Sequence, residues 1–152
     1  MEIERASESD AHEILVLQKT AYLSEAEICH DFTIEPLQQT MEEFVLQFRD
    51  HIILKAVEDM TIIGSVRAKK LDKTCYIGKL MVHPGCQNQG IGKQLMHSIE
   101  GLYPHCRYVL FTGSKSEKNI RLYEKLGYTV FRKHPVSHDF GLIYLEKPVP
   151  PR

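Results

Sequence analysis

Residues 80–96 read LMVHPGCQNQGIGKQLM. An apolar run, Leu80-Met81-Val82, meets a turn at His83-Pro84-Gly85, and Gln87-Asn88-Gln89-Gly90-Ile91-Gly92-Lys93 then opens onto a segment carrying Leu95 and Met96. This is a strand, a turn and a helix, with two glycines at the helix mouth. Glycine in a helix costs up to about 1 kcal/mol relative to alanine, so their position needs a reason. A helix N-terminus presents unpaired backbone N–H groups and the positive end of the helix dipole, which together bind phosphate. Glycines there remove the Cβ atoms that would hold an anion off the backbone, and they permit unusual φ values in the turn. Two familiar phosphate motifs nevertheless fail. Gly85 to Gly90 has the glycine spacing of a P-loop but is followed by Ile91 instead of Lys-Ser/Thr. Gly90-Ile91-Gly92 starts a dinucleotide fingerprint but has Leu95 where its third glycine belongs. What remains is Q-x-x-G-x-G, a pyrophosphate-binding pattern.

The elements around this stretch alternate between strand and helix. Ile3 and Arg5 lie in a short strand. Ser7-Glu8-Ser9-Asp10 has the form of a capping box, and Ile14, Leu15, Leu17, Ala21 and Tyr22 follow at helical spacing, which predicts a helix over 8–22. Residues 23–36 show no clean period and carry Glu25, Glu27, Asp31 and Glu35. Pro36 opens a second helix with Leu37, Met41, Phe44, Val45 and Phe48 on one stripe. Segments 52–57, 62–68 and 74–82 read as strands, the first two joined by a hairpin at Glu58-Asp59-Met60-Thr61. A helix over 90–101 precedes a buried-type strand at 108–112. A helix over 117–126 is closed by Gly127, and strands at 128–132 and 142–146 finish the chain. The order β-α-α-β-β-β-α-β-α-β-β predicts an α/β fold with one mixed, mostly antiparallel sheet and helices on both faces.

Composition narrows the function. A length of 152 residues with 43% hydrophobic and 26% charged content suits one soluble domain over 1–152. The formal net charge of −1 offers no excess for a nucleic acid or an anionic membrane, so a small, locally read partner is expected. Cys29, Cys75, Cys86 and Cys106 form no C-x-x-C pair or metal-ligand spacing and read as reduced thiols. No metal is expected: His134 and His138 are four apart, but Pro135 opposes the helix that would bring them together. The polar N-terminus and the absence of an apolar run near 20 residues favour a cytoplasmic protein.

A second element sharpens the reading. Asn119-Ile120-Arg121-Leu122-Tyr123-Glu124-Lys125-Leu126-Gly127-Tyr128 follows the pyrophosphate pattern with the form N-x-x-x-Y-x-x-x-G-F/Y. Together with Gln87, Gly90 and Gly92 in Q/R-x-x-G-x-G/A, it resembles the GNAT superfamily of N-acetyltransferases, and the element order carries that resemblance over the whole chain. The resemblance implies the acyl-CoA N-acyltransferase fold and acetyl-CoA as co-substrate. It implies a strand at Leu80-Met81-Val82 that splays from its neighbour and pairs with the pantetheine arm, with a backbone N–H near Leu80 or Met81 polarising the thioester carbonyl. It further implies that the amides of Gln87, Asn88, Gln89, Gly90, Ile91, Gly92 and Lys93 wrap the pyrophosphate, that Asn119 contacts the pantetheine region, and that Tyr123 is the general acid.

The acceptor is expected to be a primary amine of a small molecule or peptide. A free alkyl ammonium has a pKa near 10.4, so a carboxylate or a water chain must take its proton, and no single base stands out. Glu25, Glu27 and Asp31 lie in the segment that shapes the acceptor site in this superfamily, which would favour a cationic amine. Plainer roles stay open: Tyr123 as a packed aromatic, Asn119 as a helix cap, Gln87 as a solvated turn residue, Cys86 as an inert thiol. An acyl-CoA-binding module without turnover, a different acyl donor, and a dimer built on the last two strands also stay open.

Overall fold

Alternation of apolar and polar residues along the strands builds one seven-stranded sheet with a core on each face. The computed structural model describes residues 1–149. The strands are β1 (Glu2–Arg5), β2 (Ile52–Glu58), β3 (Thr61–Leu71), β4 (Thr74–Val82), β5 (Arg107–Gly113), β6 (Thr129–Pro135) and β7 (Gly141–Lys147). Their spatial order is β1-β2-β3-β4-β5-β7-β6. All neighbours are antiparallel except β4 and β5. The helices are α1 (Ala11–Cys29), α2 (Glu35–Gln38), α3 (Met41–Leu46), α4 (Ile91–Gly101) and α5 (Glu117–Lys125).

One core collects Ile91, Leu95, Met96 and Ile99 of α4 and Tyr123 of α5 against Leu54, Val66, Ala68, Leu110 and Leu145 of the sheet. The other collects Ile14, Leu15 and Leu17 of α1 and Phe44 of α3 against Ile53, Ile62 and Met81. The mixed sheet with helices on both faces agrees with the sequence reading. The hairpin also agrees: Asp59 and Met60 both have positive φ, 51° and 65°, the two-residue turn that matches strand twist. No helix among the described residues is long and apolar enough to cross a membrane.

Two expectations need correction. Residues 23–29 belong to α1, which runs on to Cys29 and ends at His30 in the left-handed region with φ 54°. Exposed Val16, Leu23 and Ile28 blur the apolar stripe and hide this length from a periodicity argument. Glu25 and Glu27 therefore sit on a helix, not in an irregular loop. The second helix is also split, because Thr40 restarts the chain as an N-cap: its hydroxyl accepts from Glu43 N–H at 3.2 Å, and its own N–H donates to Glu43 Oε1 at 2.9 Å. The break at Gln39 turns that side chain inward, where its Oε1 accepts from Gln18 Nε2 at 2.9 Å and its Nε2 donates to Gln47 Oε1 at 2.9 Å.

β4 holds the geometry that positions the site. Its pairing with β5 covers only Thr74↔Arg107, Cys75↔Tyr108 and Tyr76↔Val109. Past Tyr76 the two strands separate, leaving the β4 edge without a partner on that side. On its other side β4 pairs with β3 through a bulge, since Ser65 faces Met81 while Arg67 faces Gly78. Lys79 occupies the bulge with φ 51°, a left-handed conformation that costs a side-chain-bearing residue about 1 kcal/mol or more.

Candidate active site

The gap between β4 and β5 opens into a cleft of about 230 Å³. Its walls are Ala21, Tyr22, Ser24 and Glu25 of α1, Leu80, Met81 and Val82 of β4, and Lys118, Asn119 and Leu122 of α5. Its floor is the loop into α4, with Cys86, Gln87, Asn88, Gly90, Ile91, Gly92 and Lys93.

The two glycines act differently. Gly90 is the N-cap of α4 at φ 77°, two residues after Asn88 at φ 65°. These left-handed residues curl the loop so that the first turn of α4 faces the cleft, the geometry of an anion-binding concavity. A Cβ at Gly90 would meet nothing within 4 Å, so glycine is there for its backbone conformation. A Cβ at Gly92 would point toward Leu122 Cδ2 at 3.6 Å, and Leu80 Cδ2 and Val82 Cγ2 at 3.9 Å, in ordinary contact. Its absence widens the groove between β4 and α5. Lys118 Nζ donates to Gln87 Oε1 at 3.1 Å and ties the loop to α5, adding a second cation beside Lys93.

Glu25 joins α1 to the start of α5. One carboxylate oxygen accepts from the Ser116 hydroxyl, and the other accepts from Asn119 Nδ2 at 3.4 Å. The Asn119 amide is thus directed at Glu25 within the cleft wall. Tyr123 lies one residue beyond Leu122, 6% exposed, with its ring edge-on to Tyr128 at 6.0 Å. Burial, then the neighbouring Tyr22 and Glu25, push its phenol above the ordinary tyrosine value. Tyr123 itself is not among the residues that line the cleft, although its helix neighbour Leu122 is.

Most of the sequence-derived site meets here: Leu80, Met81, Val82, Gln87, Asn88, Gly90, Ile91, Gly92, Lys93 and Asn119 all line one cleft. Gln89 is exposed and outside the lining. The three acidic candidates separate. Glu25 faces the cleft, Glu27 is exposed on α1, and the Asp31 carboxylate accepts from the Thr33 N–H at 2.8 Å and the Thr33 hydroxyl at 2.5 Å. Those two bonds hold the Asp31 carboxyl below its ordinary value. No signal in the sequence marks Tyr22, Ser116 or Lys118 as site residues. Tyr22 looks there like one more apolar position of α1, and only the packing of α1 over the splay brings it to the cleft.

Comparison with known proteins agrees with this geometry. Residues 12–128 match the Acetyltransferase (GNAT) family. Among solved structures, the ribosomal-protein-S18-alanine N-acetyltransferase from Escherichia coli superposes with a TM-score of 0.80 at 14% identity, over 99% of this chain and 95% of that one. The PaiA N-acetyltransferase from Thermoplasma acidophilum, in complex with coenzyme A, gives 0.77 at 17% identity over 97% and 99%. A phosphinothricin acetyltransferase from Sinorhizobium meliloti, in complex with acetyl-CoA, gives 0.76 at 15% identity over 97% and 88%. With its sheet order, the β4–β5 splay and the Q-x-x-G-x-G loop all in place, the chain belongs to the GNAT acetyltransferase family.

Proposed function

We propose that this protein transfers an acetyl group from acetyl-CoA to a primary amine of a small molecule or peptide, by direct attack within a ternary complex. The observation that carries this reading is the early end of β4–β5 pairing, directly beside a glycine loop shaped for an anion. A pyrophosphate at that loop sets the attached pantetheine along the unpaired β4 edge, like an added strand. The groove left by Gly92 between Leu80, Val82 and Leu122 suits such an arm. The coenzyme A and acetyl-CoA complexes of the two relatives support the same co-substrate here.

When bound, acetyl-CoA supplies the acetyl group as a thioester. A backbone N–H near Leu80 or Met81 donates to the thioester carbonyl oxygen as negative charge grows there, a contribution of a few kcal/mol. The ammonium loses one proton to water before attack; as the N–C bond forms and the C–S bond breaks, the nitrogen releases a second proton to water, and the Tyr123 phenol gives its proton to the departing sulfur and regains one from solvent. Its raised pKa keeps that proton in place at neutral pH. Among the described residues lining the cleft, Glu25 is the one carboxylate, and it holds the incoming amine.

The test is thiol release from acetyl-CoA with a panel of amines, polyamines, amino acids and peptides. Turnover with at least one amine is expected. Tight acetyl-CoA binding without turnover across a broad panel would identify a binding module instead.

A further inference from the structure

On the α1 face of the sheet, next to the cleft, two cations stand closer together than the strands alone would put them. Arg67 lies on β3 and is half-buried. Strand alternation would send Lys79 to the opposite face with Ile77, which belongs to the α4-side core. The bulge with its left-handed Lys79 reverses that. The ammonium reaches Glu35 of α2 in an ion pair and lies 6.0 Å from the ring centroid of Tyr22, a wall of the cleft. A strained residue thus carries a lysine to the face of Arg67, one position before Leu80. Left-handed non-glycine residues held by their surroundings concentrate at functional sites.

The charges do not balance. Glu35 is ion-paired with Lys79 and acts on Arg67 only from farther off, as does Asp50, and no carboxylate among the described residues lies within 4.0 Å of the Arg67 guanidinium. Its hydrogen-bond partner is the neutral Gln47 Oε1, which also accepts from Gln39 Nε2. Gln39 in turn is held by Gln18 of α1. This chain of amides fixes the guanidinium without neutralising it and leaves donors of its planar fork open. The neighbouring His51 adds no firm charge, since burial and Arg67 both lower its affinity for a proton, while its ring is held by Asp50 and the Gln47 carbonyl. A half-buried guanidinium with no carboxylate in contact has room for an anion to complete it.

We propose that the acceptor carries an anionic oxygen group, carboxylate or phosphate, as well as its amine, and that Arg67 and Lys79 hold this group while Glu25 faces the amine. The proposal rests on the acetyl-transfer reading and deepens it by naming the acceptor class. Arginine takes such groups through paired N–H donors and lysine through its point charge. The Tyr22 ring neighbours Lys79 of the cation pair and shares the cleft wall with Glu25, so the acceptor spans that ring with opposite charges at its two ends.

Matched acceptors that differ in the anionic group test this: L-lysine against 1,5-diaminopentane, L-alanine against L-alaninamide, and 3-aminopropyl phosphate against 3-aminopropanol. Within a pair that turns over, kcat/KM should favour the anionic member by about tenfold or more. Arg67→Gln and Lys79→Met should collapse that ratio by raising the acceptor KM, whereas Arg67→Lys, which keeps the charge, should retain part of it. An acetyl-CoA KM within about twofold of wild type serves as the check that each variant is folded. The carboxylate and phosphate pairs decide between the two anions.

A second readout needs no turnover. With coenzyme A present to fill the loop, inorganic phosphate and acetate are titrated while the Arg67 Nε–H resonance is followed by NMR. A saturable shift that is lost in Lys79→Met is expected. Equal or better use of the members that lack the anionic group, or no saturable shift with either anion, would overturn the proposal. So would saturable anion binding without any preference within the pairs. Absence of turnover with every amine would count against acetyl transfer, and the anion subsite would then stand or fall on the NMR signal.

Discussion

Gly90 and Gly92 stand two residues apart at the mouth of α4, yet the same substitution to alanine should act on them with opposite sign. At Gly90 the added methyl meets nothing within 4 Å, so packing is unaffected and the whole cost is conformational. Holding alanine at φ 77° costs about 1–2 kcal/mol. At Gly92 the position is helical, and the methyl finds ordinary contacts at 3.6–3.9 Å with Leu122, Leu80 and Val82. Alanine there restricts the unfolded chain and suits the helix better, a gain of about 0.4–1 kcal/mol. For a domain of this size 1 kcal/mol moves Tm by about 2–4 °C. Gly90→Ala should therefore melt several degrees below wild type, and Gly92→Ala one to a few degrees above it, by calorimetry without ligand. Acetyl-CoA binding should respond differently: Gly90→Ala weakens it by unwinding the loop, and Gly92→Ala weakens it by narrowing the groove despite the more stable fold. Melting shifts of the same sign for both variants would refute the division of labour between the glycines. An unchanged acetyl-CoA Kd in both would remove the loop from the binding site.

Other outcomes follow from the same geometry. Tyr123→Phe should lower kcat by about 10²-fold or more with little change in acetyl-CoA KM, and the deficit should grow with pH because solvent protons become scarce while the wild-type phenol, raised by its burial, stays protonated; a pH-independent kcat equal to wild type would exclude Tyr123 as the acid. Glu25→Gln should raise the KM for the amine acceptor about tenfold and leave acetyl-CoA binding within twofold, read from initial rates with each substrate varied in turn. Lys55→Met should cost about 1 kcal/mol at pH 7 by urea denaturation, because Lys55 Nζ lies 3.0 Å from the Asp10 carboxylate where β2 meets the start of α1, and solvent screening limits what such a pair contributes. Burial alone would raise the Asp10 pKa, but the Ser7 N–H and Lys55 outweigh it and leave the group below its ordinary 3.8. A depressed carboxylate contributes stability above its unfolded pKa and loses it as pH falls through the folded value, so the difference between Lys55→Met and wild type should fade below pH 3.8.

What is local was legible along the chain. Hydrophobic period, turn chemistry and caps reach over a few residues, and they set the order of strands and helices. Glycines and amides at fixed offsets identified the loop at Gln87–Lys93 and the helix carrying Asn119 and Tyr123, because a helix mouth that binds an anion is built from consecutive backbone groups. The full length of α1 is not legible, since its apolar residues are not confined to one side, and the second helix reads as continuous because a cap at Thr40 is a weaker signal than a stripe from Leu37 to Phe48.

Which side chains share the cleft depends on long-range packing. Glu25, Glu27 and Asp31 look equivalent in sequence, and the rotation of α1 over the β4–β5 gap selects Glu25 alone. Tyr22 reads as core until that same packing makes it a wall. Arg67 and Lys79 are 12 positions apart on neighbouring strands, and alternation would place them on opposite faces. A single extra residue in β4 reverses Lys79 and brings the two charges to one face. A bulge is set by the register of two strands against each other, and register is a long-range property that no window along one strand contains.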